Sequence, residues 1–262
     1  MSADLLLDVT GLRKEFGGLV ACSDVDFTVP RSSITALIGP NGAGKTTFFN
    51  MITGVYKPTA GRVLFDGVDI TAKPPHAVVE RGIGRTFQNI RLFNEMTALE
   101  NVLVGMHCRL KAGVLGGIFR PPRVKREEAQ AHDTARELLA YCGLAGKEDE
   151  YARSLAYGDQ RRLEVARALG TRPKLILLDE PVAGMNPQES HAFTGFIGRL
   201  RDERGLTVLL IEHDMKVVMN VSEHITVLEF GQKIAEGTPR EVRENPRVVE
   251  AYLGHGAAGK HE

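Results

Sequence analysis

The stretch GPNGAGKTT, Gly39 to Thr47, narrows what this chain can fold into more than any other. It fits the pattern G-x-x-x-x-G-K-[ST], and its surroundings give the pattern its force. The β-branched run SITALIG leads into it and the apolar, helix-like run TFFNMI leads out. Strand, glycine-rich turn and helix in that order belong to a parallel α/β sheet, where a helix N-terminus and turned-in backbone N–H groups make an anion site. Gly42 and Gly44 free the backbone to curl around phosphate oxygens. Lys45 is placed to reach the outer two phosphates of a nucleotide, and Thr46 offers a hydroxyl to Mg²⁺. Without the strand and helix, the stretch would read as a glycine-rich turn with an incidental lysine.

LILLDEP, Leu175 to Pro181, runs through four apolar residues into adjacent carboxylates. A buried strand that ends on Asp179 suits Mg²⁺ coordination beside a phosphate loop. Glu180, one residue on, points elsewhere and suits a general base that polarises an attacking water. Alone, the pair would read as two solvated carboxylates at a strand end.

SLAYGDQRRLEVARAL, Ser154 to Leu169, begins a helix oddly, with Tyr, Gly and Asp in a row. A glycine at the mouth of a helix lowers its stability unless backbone must come close to something there. Taken alone, the stretch reads as a plain helix cap using Ser154 or Asp159; beside a phosphate loop, Gly158 reads as freeing backbone N–H groups for a second anion site. Two phosphate-binding surfaces far apart in one chain fit two chains packed head-to-tail around nucleotide.

The remaining pattern is β-rich, then α-rich, then alternating. LLLDVTGL, VDFTV, SITALIG and GRVLFDG read as strands. Helical periodicity sets in at Thr97 and holds largely to Leu169, followed by buried strands in PKLILLDEP and GLTVLLIEH. ITVLEFGQKIAEG reads as a hairpin turning at Phe230-Gly231-Gln232, then two short helices and a frayed tail, GHGAAGKHE. The chain is one domain over 4–253, with its α/β core in 4–87 and 171–253, a helical lobe at about 88–170, and a flexible tail at 254–262.

Among the 262 residues, 33 basic and 33 acidic side chains balance, which argues against broad electrostatic binding to nucleic acid. No apolar run reaches the ~20 residues of a bilayer span, and no signal peptide is read at the start. Three widely separated cysteines fit neither a disulfide framework nor a zinc site and read as small buried hydrophobes in a cytosolic protein.

Taken in order, these motifs resemble the ATP-binding-cassette ATPases over nearly the whole chain. The resemblance implies an α/β fold: a P-loop NTPase core with a mostly parallel sheet, an N-terminal antiparallel β subdomain and an inserted α-helical subdomain. It implies ATP and Mg²⁺ as ligands. ATP is held by the loop residues Gly39, Pro40, Asn41, Gly42, Ala43, Gly44, Lys45, Thr46 and Thr47, with Phe16 stacked on adenine. Mg²⁺ would meet Thr46, Gln88 and Asp179, and catalysis would rest on Glu180, His213, Gln88 and Lys45. The family signature, usually Leu-Ser-Gly-Gly-Gln, corresponds to Leu155-Ala156-Tyr157-Gly158-Asp159, which would touch the ATP of the opposite subunit. Ala156 stands where the family usually has a serine hydroxyl, so backbone N–H groups must carry that contact. Asn186, in AGMNP, stands where the family usually has an aspartate.

GRTFQNIRLFNEMTALENVLVG, YGDQRRLEVARAL, DEPVAGMNP and NPRVVEAYLG together look like the ATPase subunits of branched-chain amino acid importers. The segment His107–Glu128, with an apolar core between basic flanks, fits a surface near the membrane or a permease loop. That branch implies integral membrane permease subunits, a second ATPase subunit and, indirectly, an extracytoplasmic solute-binding protein as partners. It also implies a peripheral location on the cytoplasmic face of the membrane and no nucleic acid. Urea or lipopolysaccharide transport is the nearby alternative. A soluble cassette ATPase acting on nucleic acid or ribosomes is the distant one, and it usually brings two cassettes or a long coiled coil.

Overall fold

The computed structural model describes residues 4–109 and 121–257 of the chain. Two long strands open it, β1 (Leu5–Phe16) and β2 (Leu19–Pro30), paired antiparallel. With β4 (Ala60–Phe65) and β5 (Val68–Asp69) they form a four-stranded antiparallel sheet ordered β2-β1-β4-β5. Between them in sequence lies β3 (Ile34–Ile38), buried at every position and central to a second sheet.

That sheet has six strands ordered β10-β9-β3-β8-β7-β6. Its members are β3, β6 (Ile83–Arg85), β7 (Leu175–Asp179), β8 (Thr207–Ile211), β9 (His224–Glu229) and β10 (Gln232–Gly237). Neighbours from β6 to β9 run parallel, and β10 closes the edge antiparallel. Parallel strands buried on both faces read as unbroken apolar runs, which is why SITALIG, LILLD and TVLLI show no alternation. The pleat divides them: Ile34, Ala36 and Ile38 face one core, and Leu37 faces the other. The first core joins the sheet to the helices of the lobe, and the second joins it to the antiparallel sheet.

The helices are α1 (Lys45–Ile52), α2 (Pro75–Arg81), α3 (Ala98–Met106), α4 (Pro122–Tyr141), α5 (Tyr157–Gly170), α6 (Pro187–Arg204), α7 (Met215–Val221), α8 (Pro239–Glu244) and α9 (Pro246–Ala257). α3, α4 and α5 make the lobe, with Val102, Met106, Ala135, Leu139 and Leu163 in one apolar cluster. A capping box, Thr97 with Glu100, starts α3.

Several expectations need adjusting. The helical run expected from Thr97 is broken before α5 by an extended stretch, where Thr97 bridges Tyr151, and by a short turn at Ala152–Ser154. The β9–β10 hairpin turns on two residues rather than three. Phe230 and Gly231 both have positive φ, 45° and 78°, the tight turn that matches strand twist, and Gln232 already pairs with Glu229. α9 continues through Ala257, beyond the tail boundary drawn at 254, and 258–262 lie outside the described residues. Residues 110–120, the centre of the segment read as membrane-facing, also lie outside them.

Candidate nucleotide site

β3 delivers the chain into the loop at Gly39 and α1 takes it away at Lys45. Two glycines set the path. A side chain at Gly39 (φ 150°) would meet the Leu228 carbonyl at 2.1 Å, and one at Gly44 (φ 97°) would meet the Ala21 carbonyl at 2.4 Å. Gly44 is also the N-cap of α1 and no side chain caps that helix, so its first-turn N–H groups are available to an anion. Lys45 folds back over the loop and donates to the carbonyls of Gly39 at 2.6 Å and Pro40 at 2.9 Å. Burial pulls its ammonium below the usual lysine range, opposed by the charges of Glu180 and Asp179.

A cleft of about 510 Å³ opens over the loop. Asn41, Gly42, Ala43, Gly44, Lys45, Thr46 and Thr47 line it, with Gln88 and Glu180. Leu19, Val20, Ala21 and Phe230, which the motif reading missed, line it too. Phe230 comes from the β9–β10 turn, and only the sheet order brings that turn beside β3. Phe16 is not among the lining residues. It ends β1 half-exposed, its ring edge-on to Tyr56 at 5.3 Å and under the Lys14 ammonium at 4.8 Å.

Asp179 and Glu180 part company at the end of β7. Asp179 is buried, its Oδ2 accepting from Arg85 Nη2 at 2.9 Å. Burial lifts its carboxyl above the usual range, and Arg85 opposes that lift. Glu180 takes a positive φ of 48°, a costly conformation for a residue with a side chain and one that concentrates at functional sites. The turn aims its carboxylate into the cleft, where Oε2 accepts from Gln88 Nε2 at 3.0 Å. His213 Nδ1 stands 3.6 Å from the same oxygen. Thr46, Gln88 and Asp179 offer hydroxyl, amide and carboxylate oxygens, the hard donor set that suits Mg²⁺.

Behind His213, Glu212 is fully buried and accepts from three backbone N–H groups: those of Val182, His213 and Asp214. Burial raises its carboxyl above the usual range. It thus ties the loop after β8 to the loop after Glu180, and only its place in IEHD hinted at that.

The signature stretch starts α5. Leu155 is buried and packs in the core, so its side chain does not face outward. Ala156 is the N-cap, and neither Ser154 nor Asp159 caps the helix. Asp159 instead pairs with Lys147 at 2.5 Å. A side chain at Gly158 would find only Glu189, at 3.7 Å, so nothing within the chain demands glycine there. Tyr157 donates its hydroxyl to the Ala183 carbonyl at 2.9 Å and accepts from Arg161. Arg161 also donates to the carbonyls of Phe87 and Gln88 at 2.8 and 2.5 Å, so α5 holds the loop that carries Gln88. Asn186 caps α6 in a reciprocal box with Glu189, a use the sequence comparison with aspartate did not foresee.

On another face, an apolar groove of about 610 Å³ runs between α2, β6 and the lobe, lined by Val55, Val79, Phe87, Phe93, Val104 and Cys108 among others.

Comparison with known proteins agrees with this fold. The profile of the ABC transporter family matches residues 22–183, and that of the branched-chain amino acid ATP-binding cassette transporter matches residues 232–258. The high-affinity branched-chain amino acid transport ATP-binding protein BraF of Pseudomonas aeruginosa is 48% identical over 249 residues, 95% of this chain and 98% of the relative. Its counterpart LivG of Escherichia coli K12 is 47% identical over the same length and the same shares. The crystal structure of an ABC transporter's ATP-binding cassette in its ADP conformation superposes with a TM-score of 0.83 at 37% identity, covering 95% of this chain and 99% of that one. The dimeric post-hydrolysis cassette bound to ADP and Pi gives 0.75 at 26%, covering 89% and 99%. This chain belongs to the ABC transporter family, as one of its ATP-binding cassettes with the C-terminal segment of the branched-chain amino acid type.

Proposed function

We propose that the chain binds and hydrolyses ATP to drive import of branched-chain amino acids through membrane permease subunits. The observation that carries the chemistry is the Glu180 carboxylate, held by Gln88 at the mouth of an uncapped phosphate loop. Lys45 would exchange two neutral carbonyl partners for β- and γ-phosphate oxygens, a stronger, charge-assisted pairing. Thr46, Asp179 and Gln88 would hold Mg²⁺, which when bound neutralises phosphate charge. Glu180 would take a proton from the water that attacks the γ-phosphorus, as the bond from that phosphorus to the ADP oxygen breaks. His213 would contact the γ-phosphate beside it. Phe16 or Phe230 would pack on the adenine.

The uncapped N-terminus of α5 and the open space at Gly158 support a second phosphate contact, made to ATP bound by another chain. Swinging such a dimer from mostly open to mostly closed takes about 5.5 kcal/mol of differential binding. A few charge-assisted hydrogen bonds of roughly 1.5–3 kcal/mol each reach that sum. The apolar groove beside Phe87 is the surface we assign to the permease. The permease reading would set the chain peripherally on the cytoplasmic side of the membrane; no helix among the described residues is long and apolar enough to cross one.

The test is Glu180→Gln, trapped with Mg²⁺ and ATP in detergent-solubilised membranes of its own cell. It should bind ATP, lose turnover and bring down two polytopic permease subunits. Hydrolysis near the wild-type rate would remove Glu180 as the base. Ribosomes or nucleic acid in place of permeases would overturn the transport reading.

A further inference from the structure

Resting on the reading of Asp179 as a magnesium ligand, we propose that Arg85 is the stand-in cation of this carboxylate: it balances Asp179 while no divalent ion is bound and fixes which oxygen faces the phosphate loop. Nothing in the motifs singled out Arg85, which the short strand β6 carries two strands away from β8 and next to β7. Its side chain is 8% exposed and that of Asp179 is 4% exposed, so the pair sits out of water. The guanidinium works as a fork. Nη2 donates to Asp179 Oδ2 at 2.9 Å, while Nη1 donates to Asn50 Oδ1 at 2.7 Å and Thr53 Oγ1 at 3.1 Å.

Asn50 and Thr53 belong to α1 and its C-cap, the helix that begins at the phosphate loop. The fork therefore spans the two elements that must hold a nucleotide and its metal between them. The planar guanidinium lies over the rings of Phe49 and Phe87, at 5.6 and 5.0 Å from their centroids, contacts that help hold it in place. A buried carboxylate with no partner is strongly disfavoured, so something must balance Asp179 before the metal arrives. With Oδ2 occupied, Oδ1 is the oxygen left for a metal or its water.

The arrangement has a definite sign. Two cations drawing on one carboxylate compete, so Arg85 holds the metal-free site together and weakens the grip on Mg²⁺. Arg85 also lines the apolar groove with Phe87. A helix pressed into the groove would thus touch the side chain whose other end holds the metal aspartate.

The experiment uses the full chain with Glu180→Gln, saturated with ATP, and follows thermal unfolding as Mg²⁺ is titrated against an EDTA reference. Arg85→Met should unfold at a lower temperature in EDTA and regain part of the loss with Mg²⁺. Its half-saturating Mg²⁺ should fall by about fivefold or more relative to the Arg85 parent, the low end of typical site–site coupling. Arg85→Lys keeps a point charge but loses the fork, so its half-saturating Mg²⁺ should lie between those of Arg85→Met and the parent. In an Asp179→Asn background, Arg85→Met should leave the Mg²⁺ response unchanged. If Arg85→Met does not fold, Arg85→Gln is read in the same way. An equal loss with and without Mg²⁺, or an unchanged or raised Mg²⁺ requirement, would overturn the proposal and leave Arg85 a packing residue. If the parent itself shows no Mg²⁺-dependent shift with ATP, the underlying reading of Asp179 fails instead.

Discussion

Lys45 and Glu180 are the single side chains on which the proposed reaction turns. Lys45 is buried and held by two loop carbonyls, so it is positioned before any phosphate arrives. Lys45→Ala removes a charged donor that the loop cannot replace. ATP affinity should fall by about 10- to 100-fold, the equivalent of roughly 1.5–3 kcal/mol for hydrogen bonds to charged groups. A fluorescent-nucleotide titration reads this directly, and unchanged affinity would contradict the phosphate assignment. The proposal of Glu180 as the base could be read from its place after LILLD, but its partners in the structure could not. The 3.0 Å bond from Gln88 and the nearness of His213 join residues 92 and 33 positions away, and no local spacing encodes them. Arg85 and Glu212 were missed for the same reason, since each acts through a partner that only folding brings near.

Among the elements, α5 carries the most. Its start was readable because Gly158 makes little sense inside an ordinary helix, and the structure leaves the space beside it open. The cap was not readable, because Ala156 rather than Ser154 or Asp159 stands at the N-cap. Restoring a hydroxyl by Ala156→Ser should therefore have two effects. It should stabilise the chain by about 0.5–2 kcal/mol, the usual gain for an N-cap hydroxyl over alanine. It should also increase the ATP-bound dimer in the Glu180→Gln background, seen by light scattering. A stability gain without more dimer would mean that the hydroxyl only caps the helix. α5 further reaches the loop that carries Gln88 through Arg161 to the Gln88 carbonyl and through Glu164, which accepts from the N–H groups of Phe87 and Arg91. Rotation of the lobe would thus carry Gln88 with it. β6 escaped notice because three residues between loops leave no period to detect.

At the scale of the whole molecule, the cleft over the glycine-rich loop and the apolar groove have separate linings that adjoin at the loop after β6, where Phe87 lines the groove and Gln88 the cleft. The cysteines report on this separation. Burial pushes Cys22 up to about 11 and Cys142 up to about 12, so near pH 8 both stay thiols, whereas Cys108 is exposed in the wall of the groove. A bulky maleimide near that pH should modify Cys108 alone, as peptide mapping would show. The labelled chain should still bind Mg²⁺ and ATP but no longer bring down the permease subunits. Retained permease binding would place the docking surface elsewhere, and lost ATP binding would show that groove and cleft are not independent.

By itself the sequence determined the strand–loop–helix turn at Gly39 to Thr47, the adjacent carboxylates at the end of β7, the helix after Ala156 and the α/β order of elements, because each is a local pattern whose physics acts within a few residues. The tertiary structure alone decided that β3 lies between β8 and β9, that Phe230 faces the cleft and that Arg85 meets Asp179. Buried parallel strands carry uniform apolar runs that say nothing of neighbour or face, so pairing and every contact that follows from it are set only when the two cores pack.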